Sequence, residues 1–389
     1  MKIAAFFSHP TQHMTPLWQE LSRRPHVTLK VFYYSQHAVK PSLDPEFGVK
    51  FAWDVDLLAG HDYEFLPRLG SQRLRGDLAW WRLNGRILQR LREGWDAVYV
   101  AGYADLNNWI VLLGCRRLGI PVLCHSDVNI LTALKKGRLK RAIKRLVVPA
   151  FLKRVSVCLA IGDNSKAYFR SYGVPEERTC FCPIPVDIER FRRRVQEARP
   201  EELERLRSRY CIPVDKRLIL FSGKLVPRKR PLDLVAAVRQ LNRPDVAAMF
   251  IGDGQLRAQV ELQGGPQAVV TGFVNQADIP LLLQMGTLSV MPSSYDAHPL
   301  AVTESLCVGV PVILSDLCGC YGPNDVLRDG EDGLVYPCGD VAALAGHLRA
   351  LLEDEALRRR MAQRGLELAQ TQSPRQSAEA LLQAAREVQ

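Results

Sequence analysis

The sequence of 389 residues has no apolar run that approaches the roughly 18 residues needed to span a membrane. It also lacks low-complexity segments and repeats of 20–50 residues, which excludes repeat architectures such as solenoids and propellers. The only apolar stretch near the start, Ile3 to Phe7, is too short for a signal peptide and is followed by His9 and Pro10. It predicts a first buried strand.

Metal-binding cysteine patterns are missing as well. The ten cysteines are scattered, and the Cys180/Cys182 and Cys318/Cys320 pairs have neither CxxC spacing nor histidine neighbours. Many of the cysteines lie in apolar surroundings, which predicts reduced, buried thiols in a cytoplasm rather than a disulfide framework. We therefore expect no metal site and no cofactor.

Acidic residues are in deficit. There are 41 Asp and Glu against 52 Lys and Arg, a formal net charge of +11, which favours an anionic partner. Nine of the basic residues and no acid lie in residues 131–155, interleaved with leucine and isoleucine. This pattern suits an anionic membrane surface; the alternative is a solvated helix face that covers the core. No nucleic-acid recognition motif occurs, so no nucleic acid is expected.

The chain length predicts two domains. Both halves alternate apolar strands with helical segments, which indicates parallel sheets covered by helices. Proline-rich sequence at 183–185, followed by an arginine-rich helix, places the boundary near Val186. We predict an α/β protein with two Rossmann-like, doubly wound domains, 1–185 and 186–372, that face a cleft. A C-terminal helix, 373–389, is expected to pack back on the N-terminal domain.

A single charge, Glu304, interrupts an otherwise apolar or small run from Pro299 to Leu314. A buried carboxylate needs a hydrogen-bonding partner, so Glu304 should face a ligand. Pro299 suits the first position of a helix, whose N-terminus attracts an anion. Glu304 would then lie roughly 7–8 Å along the axis. A nucleoside diphosphate has these dimensions, with its phosphates at the helix start and its ribose at Glu304. A second carboxylate, Asp296, lies eight positions before Glu304.

A basic loop follows the predicted strand that ends at Gly223. It carries Lys224, Arg228, Lys229 and Arg230. Cations at such a position can neutralise a diphosphate leaving group. A solvated basic loop is the alternative.

These two segments resemble the signatures of family-4 glycosyltransferases, which are retaining enzymes of the GT-B fold. The family pattern Glu-x(7)-Glu followed by Ala-x-x-x-Gly-x-Pro-Val is similar to the run from Asp296 to Val312, and Gly-Arg-Leu-x-x-x-Lys-Gly is similar to Gly223 through Lys229. The resemblance implies that Glu304 binds the donor ribose and that Asp296 lies near the donor sugar. It also implies donor contacts at the following residues: Gly223, Lys224, Lys229, His298, Pro299, Leu300 and Ala301.

Further segments carry weaker resemblances. Gly272, Phe273 and Val274 match a loop that faces the nucleobase, although Phe273 could equally be a core aromatic. His125 is the best match to a family histidine near the reacting sugar carbon and is our third catalytic candidate beside Asp296 and Glu304; local hydrogen bonding is its alternative role. Acceptor-side candidates follow predicted strands of the N-terminal domain: His9, Thr11, Gln12, His13, Tyr103 and Asp127. The Asp-x-Asp tripeptide at 54–56 matches a metal motif of a different glycosyltransferase fold and is attributed to chance.

The resemblance implies a metal-independent hexosyltransferase with retention of configuration. Its donor would be a nucleotide-diphospho-sugar and its acceptor a glycan or lipid-linked glycan, as in envelope polysaccharide or glycolipid biosynthesis. The expected location is the cytoplasm or the inner face of the membrane. Two alternatives remain at this stage: a nucleotide-sugar epimerase on the same fold, and a non-catalytic protein that binds membranes or nucleic acid.

Overall fold

The computed structural model describes residues 1–39, 42–44, 49–69, 83–131 and 138–389. Its contacts divide the chain into two compact units. The N-terminal unit comprises Met1–Lys40, Asp56–Pro185 and Pro374–Gln389, and the C-terminal unit comprises Pro41–Val55 and Val186–Ser373. Residues 41–55, which the sequence analysis assigned to the N-terminal domain, therefore belong to the C-terminal unit.

The secondary structure alternates strands and helices in both units. The strands are β1 (Lys2–Phe7), β2 (Thr28–Tyr33), β3 (Ser42–Asp44), β4 (Val49–Phe51), β5 (Asp62–Phe65), β6 (Arg68–Leu69), β7 (Leu83–Asn84), β8 (Ala97–Ala101), β9 (Val122–Ser126), β10 (Val157–Ala160), β11 (Thr179–Phe181), β12 (Arg217–Ser222), β13 (Val246–Ile251), β14 (Ala268–Gly272), β15 (Leu288–Met291), β16 (Val312–Ser315) and β17 (Gly333–Tyr336). The α-helices are α1 (Thr15–Arg23), α2 (Ile87–Leu91), α3 (Leu106–Leu118), α4 (Arg138–Leu152), α5 (Asp163–Ser171), α6 (Ile188–Gln196), α7 (Pro200–Tyr210), α8 (Pro231–Leu241), α9 (Arg257–Gly264), α10 (Ile279–Gln284), α11 (Leu300–Cys307), α12 (Val341–Glu353), α13 (Glu355–Ala369) and α14 (Pro374–Glu387).

The N-terminal unit is built on a seven-stranded parallel sheet in the order β11-β10-β9-β8-β1-β2-β5. Four strands of its centre, β1, β8, β9 and β10, are mostly apolar and almost entirely buried, as expected for strands covered by helices on both faces. The strand order reverses direction between β1 and β8. Loops that follow these two strands therefore start at the topological switch point, where α/β sheets bind their ligands.

The C-terminal unit contains a six-stranded parallel sheet in the order β14-β13-β12-β15-β16-β17. Every residue of β13 is buried, and separate apolar clusters cover the two faces of the sheet. The switch point lies between β12 and β15. The two parallel, doubly wound sheets confirm the predicted α/β fold.

The C-terminal helix α14 belongs to the N-terminal unit and packs on α1. Arg24, the C-cap of α1, donates to Glu379 at 3.3 Å. The Ser377 hydroxyl donates to the carbonyl of Pro183 at 2.9 Å. Buried Ala378, Leu381, Ala384 and Ala385 form the apolar face of the helix. The last residues of the chain thus complete the core of the first unit.

All ten cysteines carry free thiols, and the four that lie in apolar sequence, at 115, 124, 158 and 307, are buried. Burial raises the pKa of the Cys115 and Cys158 thiols to about 12, so they are inert apolar side chains at neutral pH. Within the described ranges, no helix combines the length and the apolar character needed to cross a bilayer.

Candidate functional site

The loops that follow β12 and β15 meet at the switch point of the C-terminal unit. The backbone amide and the hydroxyl of Ser294 both donate to the carbonyl of Arg228, at 2.8 and 3.2 Å. The amide of Gly319, in the loop after β16, donates to the carbonyl of Asp296 at 2.9 Å. The basic loop and the carboxylate segment of the sequence are therefore held together at one edge of the sheet.

The Gly252-Asp253-Gly254 turn after β13 fixes the basic loop from its other side. The Leu225 amide donates to the Asp253 carbonyl at 2.8 Å, and the Leu256 amide donates back to Leu225 at 2.9 Å. A Cβ on Gly252 would lie 2.0 Å from the Gly223 carbonyl oxygen, and Gly252 also has a φ of +150°. Only glycine permits this approach, so the turn has a structural role that its sequence alone does not reveal.

Lys229, a predicted donor-binding residue, and Asp296, a catalytic candidate, form an ion pair. Their side chains are only 14% and 13% exposed, so the pair is largely shielded from water. Lys229 ends a 3-10 turn, Pro227–Lys229, whose closing bond from the Lys229 amide to Val226 is 2.9 Å long. Neighbouring Arg230 instead donates to Asp233 in the first turn of α8, at 2.7 and 3.0 Å. The loop thus directs Lys229, but not Arg230, toward the carboxylate segment.

Helix α11 begins at Leu300, one residue later than predicted. Pro299 has a ψ of 109° and is the extended N-cap, not the first helical residue. No side chain in the described part of the protein caps this helix, although the Val302 amide bonds to Pro299 at 3.0 Å. The first-turn amides of Leu300 and Ala301 have no acceptor within the helix, and the helix dipole makes this end favourable for an anion.

His298 lies immediately before this helix end. Its residue is 7% exposed, and its Nε2 is 3.9 Å from Oδ1 of Asp325. Neither ring nitrogen has a hydrogen-bond partner among the described residues. Burial lowers the pKa of His298 to about 4, against the opposing effect of the Asp296 charge, so the ring is neutral at pH 7. A buried imidazole with two unused nitrogens is costly unless a ligand bonds to it.

Glu304 is half-buried on α11, and no group in the described ranges donates to its carboxylate. Burial raises the pKa of Glu304 to about 7, and the charge of Arg190 acts in the opposite direction. Arg190 itself donates to the backbone and side-chain oxygens of Gln276, both at 2.9 Å. Glu304 consequently retains its lone pairs for hydroxyl donors.

The segment after β14 contains the predicted nucleobase loop. Gly272 has a φ of +72° and forms a bridge with Gly252. Val274 is buried, whereas Phe273 is half-buried and its ring centre lies 6.2 Å from that of Trp53. Phe273 is therefore not a fully buried core residue, the alternative that the sequence left open. Trp53 was not among the predicted site residues, because nothing in its local sequence indicates that it contacts a loop over 200 positions away.

Asp54 explains why that contact forms. Its two carboxylate oxygens accept from the amides of Gln276 and Ala277, each at 3.0 Å, and Asn275 donates to the Ala52 carbonyl at 2.8 Å. The other carboxylate of the Asp-x-Asp tripeptide, Asp56, accepts from the amides of Leu58 and Ala59. Asp54 therefore caps the backbone of a loop that is distant in sequence, whereas Asp56 caps its own turn.

In the N-terminal unit, the loop after β1 carries four acceptor-side candidates, all half-buried: His9, Thr11, Gln12 and His13. Ser8 and His9 are hydrogen-bonded at 3.0 Å, and Thr11 and His13 at 3.4 Å. Burial, reinforced by neighbouring imidazoles, lowers the pKa of both His9 and His13 to about 4. The loop therefore presents neutral polar groups at the switch point between β1 and β8.

His125 is 4% exposed, and both of its ring nitrogens have protein partners. Nε2 lies 2.9 Å from the Cys182 carbonyl, which can only accept, so Nε2 carries the proton and Nδ1 accepts from the Tyr99 hydroxyl at 2.8 Å. This is the locally satisfied histidine that the sequence analysis kept as the alternative.

Two further acceptor-side candidates differ in exposure. Tyr103 is buried, and its hydroxyl lies 2.9 Å from that of Tyr168, whereas Asp127 is exposed.

A cavity of about 710 Å³ opens at the carboxyl ends of β2 and β5. Arg68 crosses it to donate to the Ser35 hydroxyl at 2.9 Å. Sequence reasoning missed this feature, because its residues form no motif; their position directly after strands was the only available signal. Its lining consists of Tyr34, Ser35, Gln36, His37, Phe65, Leu66, Pro67 and Arg68.

Comparison with known proteins identifies the chain. The family model described as glycosyl transferases group 1 matches residues 203–368, and the one described as glycosyl transferase 4-like domain matches residues 13–185. The chain belongs to the family-4 glycosyltransferases. Its two parallel-sheet α/β units are those of the GT-B fold, as predicted.

The individual relatives have low sequence identity to this glycosyltransferase. The 2-deoxystreptamine glucosyltransferase of Streptomyces kanamyceticus is 27% identical over 311 residues, 75% of this chain and 78% of the relative. The UDP-Gal:alpha-D-GlcNAc-diphosphoundecaprenol alpha-1,3-galactosyltransferase of Escherichia coli is 22% identical over 279 residues, 68% of each chain. The structure of Anabaena HepE in complex with UDP and glucose has a TM-score of 0.74 at 17% identity, with full coverage of both chains. Relatives that are 30% and 31% identical match over only 43% and 47% of their own lengths.

Proposed function

We propose that this glycosyltransferase transfers a hexosyl group from a nucleotide-diphospho-sugar to an acceptor hydroxyl with retention of configuration and without a metal ion. The proposal rests on the arrangement of Glu304, the uncapped start of α11 and Lys229. At one sheet edge they provide a carboxylate that can accept hydrogen bonds from a ribose, a helix end that can bind an anion, and a cation. The names of the relatives support it: one uses UDP-Gal, and HepE was crystallised with UDP and glucose.

In the proposed complex, the donor diphosphate binds the first-turn amides of α11 and the ammonium groups of Lys224 and Lys229. The ribose hydroxyls donate to Glu304, and the base lies against Gly272–Val274. His298 and Asp296 then lie beside the sugar. These cations and amides supply the charge that a divalent ion provides in other nucleotide-sugar enzymes.

The proposed reaction is a front-face displacement. The acceptor oxygen bonds to the anomeric carbon on the face from which the diphosphate departs, and the bond between that carbon and the phosphate oxygen breaks. The acceptor proton passes to a departing phosphate oxygen. Negative charge grows on the leaving group, where Lys224, Lys229 and the start of α11 stabilise it. Asp296, paired with Lys229, serves to place that cation.

We further propose a glycan or lipid-linked glycan as the acceptor, bound by the N-terminal unit. The loop His9–His13 and the cavity beside Arg68 provide polar groups at the ends of three neighbouring strands. The E. coli relative, whose name specifies a diphosphoundecaprenol acceptor, supports the lipid-linked class. A lipid-linked acceptor would bring the protein to the inner face of the membrane, within envelope glycan biosynthesis.

Thermal unfolding with nucleotides tests the donor assignment. One of UDP, GDP and ADP, at a hundredfold excess over its Kd, should stabilise the protein by about 2.7 kcal/mol. The matching nucleoside should stabilise it far less, because it lacks the phosphates, and the result should not change with EDTA. Protection by no diphosphate, or equal protection by the nucleoside, contradicts the proposal.

The raised pKa of Glu304 predicts pH-dependent binding of the nucleoside diphosphate that protects the protein. Its carboxyl is largely protonated at pH 6 and ionised at pH 8, and the ionised form accepts more ribose hydrogen bonds. Affinity measured by calorimetry should therefore rise roughly tenfold over this interval. The Glu304→Gln variant isolates the effect, because it retains the contribution of the nucleotide's own phosphate titration. A wild-type profile that matches the variant's contradicts the assignment.

The same group affects stability in the opposite direction. Its folded-state pKa of about 7 lies above the ordinary value of 4.5, so the folded protein binds more protons between these values. The contribution of Glu304 to stability is therefore present below pH 4.5 and is lost as the pH rises toward 7. Ligand binding and folding stability consequently favour opposite protonation states of one side chain.

A further inference from the structure

Helix α4 exposes three apolar side chains that belong to none of the core clusters formed by the described residues. Ile143, Leu146 and Val147 are 53%, 77% and 38% exposed. Their spacing of three and four positions places them on one face of the helix. The opposite face is anchored by buried Val148, Phe151 and Leu152, with Phe151 packed edge-on against Trp109 at 5.0 Å.

The same helix is rich in positive charge. Seven Lys and Arg residues and no acidic residue lie between Arg138 and Arg154. Arg145, Lys153 and Arg154 are exposed, and Lys144 lies over the ring of Tyr103 at 5.6 Å. Residues 132–137 of the basic amphipathic segment 131–155 lie outside the described ranges. From Ile143 to Arg154, exposed apolar side chains and exposed basic side chains both occur on the helix and at its C-terminal end.

The combination of exposed apolar side chains and nearby positive charge favours one kind of partner. An exposed Leu146 beside basic residues matches the interface of an anionic bilayer, where acyl chains receive the apolar groups and headgroups receive the cations. Nucleic acid would satisfy the charge but would leave the apolar side chains in water. An acidic protein would need a shaped apolar pocket as well as charge.

We propose that Ile143, Leu146 and Val147 insert into the headgroup region of an anionic lipid bilayer, held there by Arg145, Lys153 and Arg154. This inference deepens the proposed function and rests on it only for its purpose, namely access to a lipid-linked acceptor. The surface itself is defined by exposure and charge, independently of any substrate.

Flotation with vesicles tests the proposal on the full chain. Wild-type protein should bind vesicles that contain phosphatidylglycerol and bind those of phosphatidylcholine alone much more weakly. Leu146→Ser should weaken binding to the anionic vesicles roughly tenfold, since one inserted leucine is lost. Leu262→Ser is the matched control, because Leu262 is 84% exposed in the C-terminal unit, outside this surface.

A second pair of variants tests the charge. Arg145→Glu removes one positive charge and adds a negative one, so the partition coefficient should fall roughly 30-fold. Arg205→Glu makes the same change at an exposed position of the C-terminal unit and should have little effect. High salt should weaken wild-type binding.

Three results would overturn the inference. The first is equal binding to neutral and anionic vesicles, and the second is equal binding by the Leu146→Ser and Leu262→Ser variants. The third is that added RNA displaces the wild-type protein from anionic vesicles and that Arg145→Glu abolishes the RNA binding. Stabilisation by the nucleoside diphosphate that protects the wild type, measured on the same variants, confirms that they remain folded. It also separates the two proposals, because loss of vesicle binding with intact nucleotide protection contradicts only the membrane surface. Vesicle binding without nucleotide protection contradicts only the donor assignment.

Discussion

Transfer by the Glu304→Ala variant is expected to fall by at least a factor of about 100. Each hydrogen bond to a charged group contributes roughly 1.5–3 kcal/mol, and the ribose offers two hydroxyl donors to this carboxylate. The loss should be visible in kcat/KM for the nucleotide-sugar and in the Kd for the product nucleotide, because the contact is made in both complexes. Glu304→Gln, which keeps the size but weakens the acceptor, should fall between the variant and the wild type.

The fold should survive this substitution. Glu304 is a half-buried carboxylate with a raised pKa and no donor among the described residues, so its removal breaks no internal hydrogen bond. Circular dichroism should match that of the wild type, and the unfolding midpoint at neutral pH should be equal to or above it, because burial disfavours the ionised carboxylate that is removed. Glu355→Ala, at a side chain that is 57% exposed on α13, provides a control with normal activity. Near-normal turnover by Glu304→Ala would falsify the donor assignment.

Lys229→Met is expected to lower kcat by a factor of about 10²–10³, the range observed when one preorganised stabilising group is removed from an active site. Methionine keeps the length and the apolar stem but removes the cation that should neutralise the departing diphosphate. Asp296 would also lose its ion-pair partner while remaining only 13% exposed. Stability should therefore fall together with activity, because an unpaired, shielded carboxylate is costly.

A double variant separates these two effects. Lys229→Met combined with Asp296→Asn removes both charges, so unfolding experiments should show recovery of most of the lost stability. Transfer should remain as low as in Lys229→Met alone, since the cation is still missing. Recovery of activity in the double variant would show that Lys229 serves only to neutralise Asp296, and the proposed contact with the leaving group would be wrong.

The parallel sheets could be predicted from the sequence because a strand that is buried on both faces consists of an unbroken run of apolar residues. Runs such as Val246–Ile251 contain only apolar residues, and this fits a central parallel strand better than an amphipathic one. Strand β5, Asp62–Phe65, escaped prediction because it is an exposed edge strand whose residues alternate with polar groups. Helix α13 was missed for a similar reason: it is dominated by charged residues that obscure its short apolar face.

The candidate site, like the fold, could be predicted from the sequence only in part. Segments with strict spacing, such as Asp296 to Glu304, could be recognised because a short loop and the helix that follows it set the distance between their residues. Contacts between distant segments could not: Trp53 reaches Phe273 only because Asp54 binds the amides at 276 and 277. The helix start was misplaced by one residue because proline fits both the N-cap and the first turn. His125 was a catalytic candidate because it matches a family histidine and follows a predicted strand, and neither feature reveals that both of its ring nitrogens have protein partners.

The assignment of residues 41–55 to the C-terminal unit has a practical consequence for protein engineering. Neither unit is encoded by one uninterrupted stretch of the gene, since the chain also returns to the N-terminal unit for its last helix. A chimera that exchanges the halves of two such enzymes at a single junction near Val186 would pair Trp53 and Asp54 of one parent with the 273–277 loop of the other. Donor specificity should therefore be transplanted with both pieces together, taking residues 41–55 along with 186–373.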